Sequence, residues 1–499
     1  VKKAILLGIL ALLVAGAVAA YFFIYRPLVA DPVAPLFASE CAGCHGNDMG
    51  GSARGPALLN SARVLGKGVG DIEQKIARHP PSSGYEPDLD GAQLRGLAVL
   101  IGETMTDRAY RTFEVEDPLE IPAATVQTDL HAFRVEVVTD DLHPLPFSLA
   151  PLPEGGFLVT EKMKGLRHVS ADGQVSELIE GTPTVYDDGF EVFLPLGLGW
   201  MLDVALHPNY IENGWVYLHY TERCTDCEAT TPVSRNTVIR GRVTDGVWVD
   251  QELIWQPGRE FYSRNPDIAA GGRLAFDDSG HLFISVGLKG SMNYDGMQDL
   301  STPTGKVHRV TLEGQVPLTN PFVSVPDAMR SVWTYGHRSP QGLEFNPLTR
   351  ELWETEMGPR GGDEINLLQA GKNYGWPLTS LGRDYDGTHV DYGRELNLEF
   401  DLAEIEQPRI DLTPGPAVSS FAIYASSAFN RWHGHFVVGS LAARELYRVD
   451  VEGTGTVEKL LTNIGRIRDV EVGVDGLIYL LLEHPSGGRI VRLVPDQSA

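Results

Sequence analysis

Cys41, Cys44 and His45 form the pentapeptide CAGCH, two thiols three residues apart followed at once by an imidazole. On a helix that spacing places both thiols on one face. It suits two thioether bonds to haem vinyl groups, with His45 swung underneath as the proximal iron ligand. A disulfide or half of a zinc site would use the same thiols, but zinc needs a second ligand pair and none occurs before residue 120. The chemistry indicated is covalent attachment of haem c. Cys224 and Cys227 form CTDC followed by Glu228, so a local disulfide is expected there instead of a second haem.

The elements around CAGCH are those that would hold a haem. A helical stretch begins near Ala34, GPALLN and DIEQKIARH follow, and DGAQLRGLAVLIGE closes the unit, with Asp90 and Gln93 at capping-box spacing. Residues 32–107 resemble a small all-α class I cytochrome c domain. The resemblance implies a methionine before the last helix as sixth iron ligand, and this chain has none there. The stretch HPPSSGYEPDLD leaves His79, Met49 or Met105, or an open position. Met49 lies only four residues beyond His45, so His79 is taken as the sixth ligand.

Upstream, Lys2 and Lys3 precede 22 uncharged residues from Ala4 to Tyr25, about 33 Å as a helix and enough to cross a bilayer. Residues 1–26 are therefore expected to be a transmembrane anchor. A cleaved signal peptide is the alternative, since Ala17 and Ala19 flank Val18 as in a cleavage site. The expected location is the inner membrane, with the rest of the chain facing the periplasm or cell exterior. The 41 Lys and Arg against 66 Asp and Glu leave a charge of −25 among 499 residues, which excludes nucleic acid as a natural partner.

Residues 108–132 read as a linker. Beyond it one pattern recurs six times: an alternating strand, a turn rich in Gly, Asp, Asn or Pro, and a second strand of aromatic and β-branched residues. The copies begin at Leu149, Val204, Leu274, Leu343, Ala422 and Val470. Such units expose an apolar sheet face unless neighbours cover it, and radial stacking does so for all of them. The predicted fold is mainly β, a six-bladed β-propeller over 133–499. Loops before each first strand and after each second strand should converge at one end of its axis.

Two neighbouring stretches read GHRSPQGLEFNP and EMGPRGGDEINLLQAGKNYGWP. With PFSLAPLPEGGFLVTE, MLDVALHP, GGRLAFDDSGHLFISVG, GKVHRV and IRDVEVGVDG they resemble the PQQ-dependent soluble glucose dehydrogenase and aldose sugar dehydrogenase family, also called glucose/sorbosone dehydrogenases, over about 133–495. By that resemblance Arg338 contacts the quinone, and Ser339 stands where many relatives have asparagine. Arg466 and Arg468 bind cofactor carboxylates, Gly358 and Pro359 hold the cofactor's calcium through their carbonyls, and Glu364 and Tyr374 ligate a second, structural calcium. Three positions depart from the pattern. The family's catalytic histidine falls on Ala269, its glutamine on Leu198 and its cofactor-binding lysine on Ala442. The catalytic residue is thereby left unassigned, with Asp267, His308 and His337 as nearby substitutes for the base.

Arg338, Arg360, Arg466 and Arg468 put positive charge at the loop end of an acidic chain. They either pair with Asp363 and Asp469 or form an anion-binding cleft. The leading expectation is a membrane-anchored quinohaemoprotein dehydrogenase that oxidises a sugar or other alcohol and passes electrons through haem to a respiratory acceptor. The competing ones are a non-enzymatic haem protein with a degenerate propeller for binding or sensing, and a calcium-dependent hydrolase of the lactonase type.

Overall fold

The computed structural model describes residues 32–56, 58, 69–79, 88–105, 119–187, 197–229, 231–289, 296–384, 387–390 and 400–496. Within them lie six antiparallel sheets. Five contain four consecutive strands each, over 146–178, 201–255, 271–335, 340–411 and 418–461. The sixth takes Arg466–Val472, Ile478–Glu483 and Gly488–Pro495, then borrows Ala132–Leu142 and Val126–Gln127 from the other end of the propeller. In each of the first five sheets the earliest strand is innermost, and these strands contact one another in sequence, with Arg466–Val472 joining the fifth back to the first. The result is a closed six-bladed propeller.

The sequence pattern explains why the blades stack. Ile478–Glu483 (IYLLLE) is buried along its whole length, as expected of a strand covered on both faces. Among the described residues six apolar clusters fill the six gaps between adjacent blades, for example Leu158, Leu166, Val204 and Leu218 between blades one and two. Leu119, Ile121, Val126 and Leu130, from the second half of the expected linker, pack against the cluster of blades five and six.

The N-terminal unit is helical over Val33–Glu40, Ala42–His45, Val69–Ala77 and Gly91–Met105. Val33, Phe37, Ile72, Leu97 and Ile101 form its core, together with Met49. The capping box forms as expected: Gln93 N donates to Asp90 Oδ1 at 2.8 Å and Asp90 N to Gln93 Oε1 at 3.0 Å. The expected transmembrane anchor, residues 1–26, lies outside the described residues. Among the described residues no helix is long and apolar enough to cross a membrane; the 15-residue Gly91–Met105 helix reaches about 22 Å, short of the roughly 30 Å required.

Candidate cofactor and active site at the loop end of the propeller

The starts of the innermost strands and the ends of their partners meet at one end of the axis. Arg466 and Arg468 come from the start of blade six's inner strand, and Glu483 from the end of the strand beside it. Lys162 follows the second strand of blade one. Glu483 Oε1 lies 2.8 Å from Lys162 Nζ and 2.8 Å from Arg468 Nε, and its Oε2 lies 3.1 Å from Arg466 Nε. Burial pushes the Glu483 carboxyl up, but Arg468, Lys162 and Arg466 outweigh it and hold it well below the usual carboxylate range. Burial, with Arg468 close by, pushes the Lys162 ammonium down to about 7. Three cations share one carboxylate, and that positive excess fits a polyanionic ligand such as PQQ.

Hydrogen bonds tie this cluster to Arg338. Arg468 donates to Gln341 Oε1 at 3.1 Å, and Gln341 Nε2 donates to Ser339 Oγ at 2.8 Å. Arg338 donates to the carbonyls of Met357 and Gly358, at 2.9 and 3.0 Å. Gly358 O, expected on calcium, thus already accepts from a guanidinium and keeps one lone pair for a cation. The turn is built by Gly361 and Gly362, with φ of +73° and +72°, a conformation natural to glycine. Asp363 accepts from Gly358 N and Val418 N, while Asp469 faces Arg273 at 2.9 Å. Neither aspartate ion-pairs with Arg466 or Arg468; Glu483 does.

Beside this turn lies an acidic cluster. Glu354, Glu356 and Glu364 project from two paired strands, in which Glu356 faces Glu364 and Glu364 faces Asp411 across the next pair. His337 Nδ1 lies 3.0 Å from Glu354 and 3.1 Å from Glu356. Burial lowers the His337 pKa, but Glu354 and Glu356 outweigh it and push it up to about 10. The imidazolium balances one of these charges. Desolvation first, then Glu356 and Asp411, drive the Glu364 carboxyl well above its ordinary range. Crowded hard oxygens, one of which keeps a proton until a cation displaces it, fit calcium. Tyr374 stacks on His337 with ring centroids 4.8 Å apart and donates its hydroxyl to Leu367 O, which fixes the segment whose carbonyl the resemblance assigns to that ion.

Calcium is therefore expected to raise the melting temperature of the propeller, and by more at pH 8 than at pH 5.5. The folded, cation-free chain holds a proton on Glu364 above pH 4.5. Its stability therefore falls as pH rises through that window, and calcium, which needs the deprotonated carboxylate, binds better in the same direction. A calorimetric scan with and without chelator checks this; an identical pair of curves at pH 8 refutes it.

The three departures lie on loops of different blades: Leu198 before the second, Ala269 before the third and Ala442 after the second strand of the fifth. Ala269 has φ +63°, and Gly287 and Leu288 pack between its backbone and that of Arg338. Leu198 O accepts from Arg223 at 2.8 Å, and the next residue, Gly199, donates to Asp267. Ala442 N donates to Pro416 O. None of the substitute bases is available. Asp267 accepts from Gly199 N, Thr221, Ser234 and Lys289 Nζ, the last at 2.8 Å, and is 2% exposed. His308 is buried between Ser331 Oγ and Pro303 O, both at 3.0 Å, and burial pushes its pKa down to about 3. His337 is already protonated.

The sequence reading missed Lys162, Glu483, Glu354, Glu356 and Lys289. One signal was present: blades one, two, four and six carry a glutamate (161, 222, 356, 483) towards the end of the second strand, so a carboxylate recurs at the convergent end.

In the helical unit Cys41 and Cys44 are free thiols, His45 Nδ1 lies 2.7 Å from Pro56 O, and the rings of His45 and His79 approach to 6.2 Å. Cys224 and Cys227 form the expected disulfide.

Residues 143–492 match the family of glucose/sorbosone dehydrogenases. An aldose sugar dehydrogenase of Escherichia coli is 37% identical over 370 residues, covering 72% of this chain and 93% of the relative. Quinoprotein glucose dehydrogenase B of Acinetobacter calcoaceticus is 27% identical over 316 residues, covering 57% and 61%. The crystal structure of the soluble E. coli aldose sugar dehydrogenase, in its apo form, superposes with a TM-score of 0.63 and 35% identity, covering 73% of this chain and all of that one. That protein is described as soluble, and with no membrane-length helix among the described residues the expected inner-membrane location is withdrawn. Fold, closed ring and sequence agree that the chain belongs to the glucose/sorbosone dehydrogenase family of propeller sugar dehydrogenases.

Proposed function

We propose that the chain is a quinohaemoprotein dehydrogenase: the propeller oxidises a sugar or other alcohol, and electrons leave through haem c on the helical unit towards a respiratory acceptor. The observation that carries this reading is where the helical unit sits. Arg95 donates to Leu381 O at 2.7 Å and to Asp411 Oδ2 at 2.9 Å. Glu103 Oε2 lies 2.6 Å from Arg383 and 3.3 Å from Arg360. Arg360 directly follows Gly358 and Pro359, and Asp411 faces Glu364, so the unit bearing CAGCH is docked on the turn that the resemblance gives to calcium and cofactor.

Bound PQQ would supply the two-electron acceptor for alcohol oxidation, and haem the one-electron outlet. The chain's own residues do the rest. Lys162, Arg466 and Arg468 hold an anion, Arg338 and Gln341 orient it, and Glu364 with Glu356 holds calcium. Ala269 leaves the proton of the substrate hydroxyl without the family's base. A second reading, a non-enzymatic haem protein whose propeller only binds a ligand, is favoured by the sealed state of Asp267, His308 and His337.

The test is stopped-flow reduction of the haem by an aldose in protein loaded with PQQ and calcium. Glu103→Ala combined with Arg95→Ala should slow haem reduction by about tenfold or more, since one buried and one partly buried charge pair are lost, while turnover with a small soluble dye stays unchanged. Equal haem reduction in the variant would refute the docked relay. No reduction by any sugar or alcohol would select the binding-module reading.

A further inference from the structure

We propose that His45 and His79 are the two axial ligands of a six-coordinate, bis-imidazole haem, closed to external ligands and suited to electron transfer alone. This rests on the attachment of haem at Cys41 and Cys44 proposed above.

The geometry is set by three contacts. The two rings stand with centroids 6.2 Å apart and planes at 70°. A metal bonded to one nitrogen of each imidazole, at about 2 Å per bond, places the ring centres about 6 Å apart. His45 Nδ1 is held by Pro56 O at 2.7 Å, a bond that engages Nδ1 and leaves Nε2 as the nitrogen to bind iron. The His79 backbone N–H donates to Ile76 O at 3.2 Å just past the end of the Val69–Ala77 helix, which sets where the residue leaves that helix.

Met49 is removed from the choice by its packing. Its side chain is 5% exposed within the helical core beside Val33, Phe37 and Leu97. Its backbone is pinned at both ends: Met49 N donates to Gly46 O, and Met49 O accepts from Leu58 N at 2.9 Å. Bringing its sulfur to the iron would empty that core. The Met105 side chain lies outside the described residues. Two imidazoles also place the potential below that of a methionine–histidine pair, because an axial methionine raises it.

The experiment uses the full chain matured with covalent haem. The ferric protein should give a low-spin electron paramagnetic resonance signal of the strongly anisotropic kind produced by nearly perpendicular imidazole planes. The ferrous protein should not bind carbon monoxide. His79→Ala should convert the iron to high spin with carbon monoxide binding gained, and added imidazole should restore the low-spin signal, which separates a lost ligand from a misfolded domain. His79→Met should raise the reduction potential. A high-spin wild-type haem, a methionine–iron charge-transfer band in wild type, or an unchanged low-spin signal in His79→Ala each overturns the assignment. Absence of covalent haem after denaturation overturns the attachment reading itself, and is told apart by the pyridine haemochrome assay.

Discussion

Loaded with PQQ and calcium, the unmodified chain is expected to oxidise aldoses about 10²- to 10⁴-fold more slowly than relatives with the catalytic histidine, the usual contribution of a positioned general base. Ala269→His should recover much of that difference. The backbone there favours the change, because Ala269 sits at φ +63°, a region where histidine is several-fold enriched among non-glycine residues. Leu198→Gln and Ala442→Lys, on the loops beside Gly199 and Pro416, should add affinity for the cofactor without replacing the base. Steady-state kcat measured with the single and triple variants checks this. Aldose oxidation by the unmodified chain at the rate of histidine-containing relatives would show that some other group takes the proton.

Glu483→Ala is expected to be among the most damaging single substitutions in the propeller. It leaves Lys162, Arg466 and Arg468 together without their shared carboxylate, and Lys162 and Arg468 are 5% and 7% exposed. Breaking a buried ion cluster from one side costs about 3–5 kcal/mol. Chemical denaturation measures that loss directly. A tricarboxylate should stabilise the variant more than the wild type, because the anion takes the place of the missing charge. If the variant is as stable as the wild type and indifferent to tricarboxylates, the cationic cluster is not an anion site.

The propeller was legible because its signals are local and repeated. Copies such as LAFDDSGHLFISVG announce two strands and a turn by alternation alone, and six apolar faces leave radial stacking as the economical arrangement. Arg466, Arg468, Arg338 and Gly358 were legible through family motifs, and the structure joins them in one network. The partners were not. Lys162 and Glu483 are 321 residues apart, and no spacing rule links residues brought together by ring closure. For the same reason Asp267 resembled a free base until Lys289, 22 positions on, was seen to neutralise it. The docking of Arg95 on Asp411 spans 316 residues and has no signature in either segment. The length of the stretch 4–25 misled because hydropathy alone was asked to fix a location.

The sixth blade is completed by strands from opposite ends of the propeller, with Phe133 facing Pro495 and Leu142 facing Gly488. The clasp joins positions more than 340 residues apart, so its loop-closure entropy is among the largest in the fold and must be overcome before the contacts repay it. On a growing chain the five intact blades can be made in order, yet the ring stays open until the final strand has been synthesised. Until then Ala132–Leu142 has no Gly488–Pro495 to pair with, and the edge of Ile478–Glu483 is bare, an invitation to other chains. The helical unit, made first and joined just upstream of that waiting strand, therefore has the whole period of propeller synthesis to acquire its own structure before it is drawn onto the fourth blade.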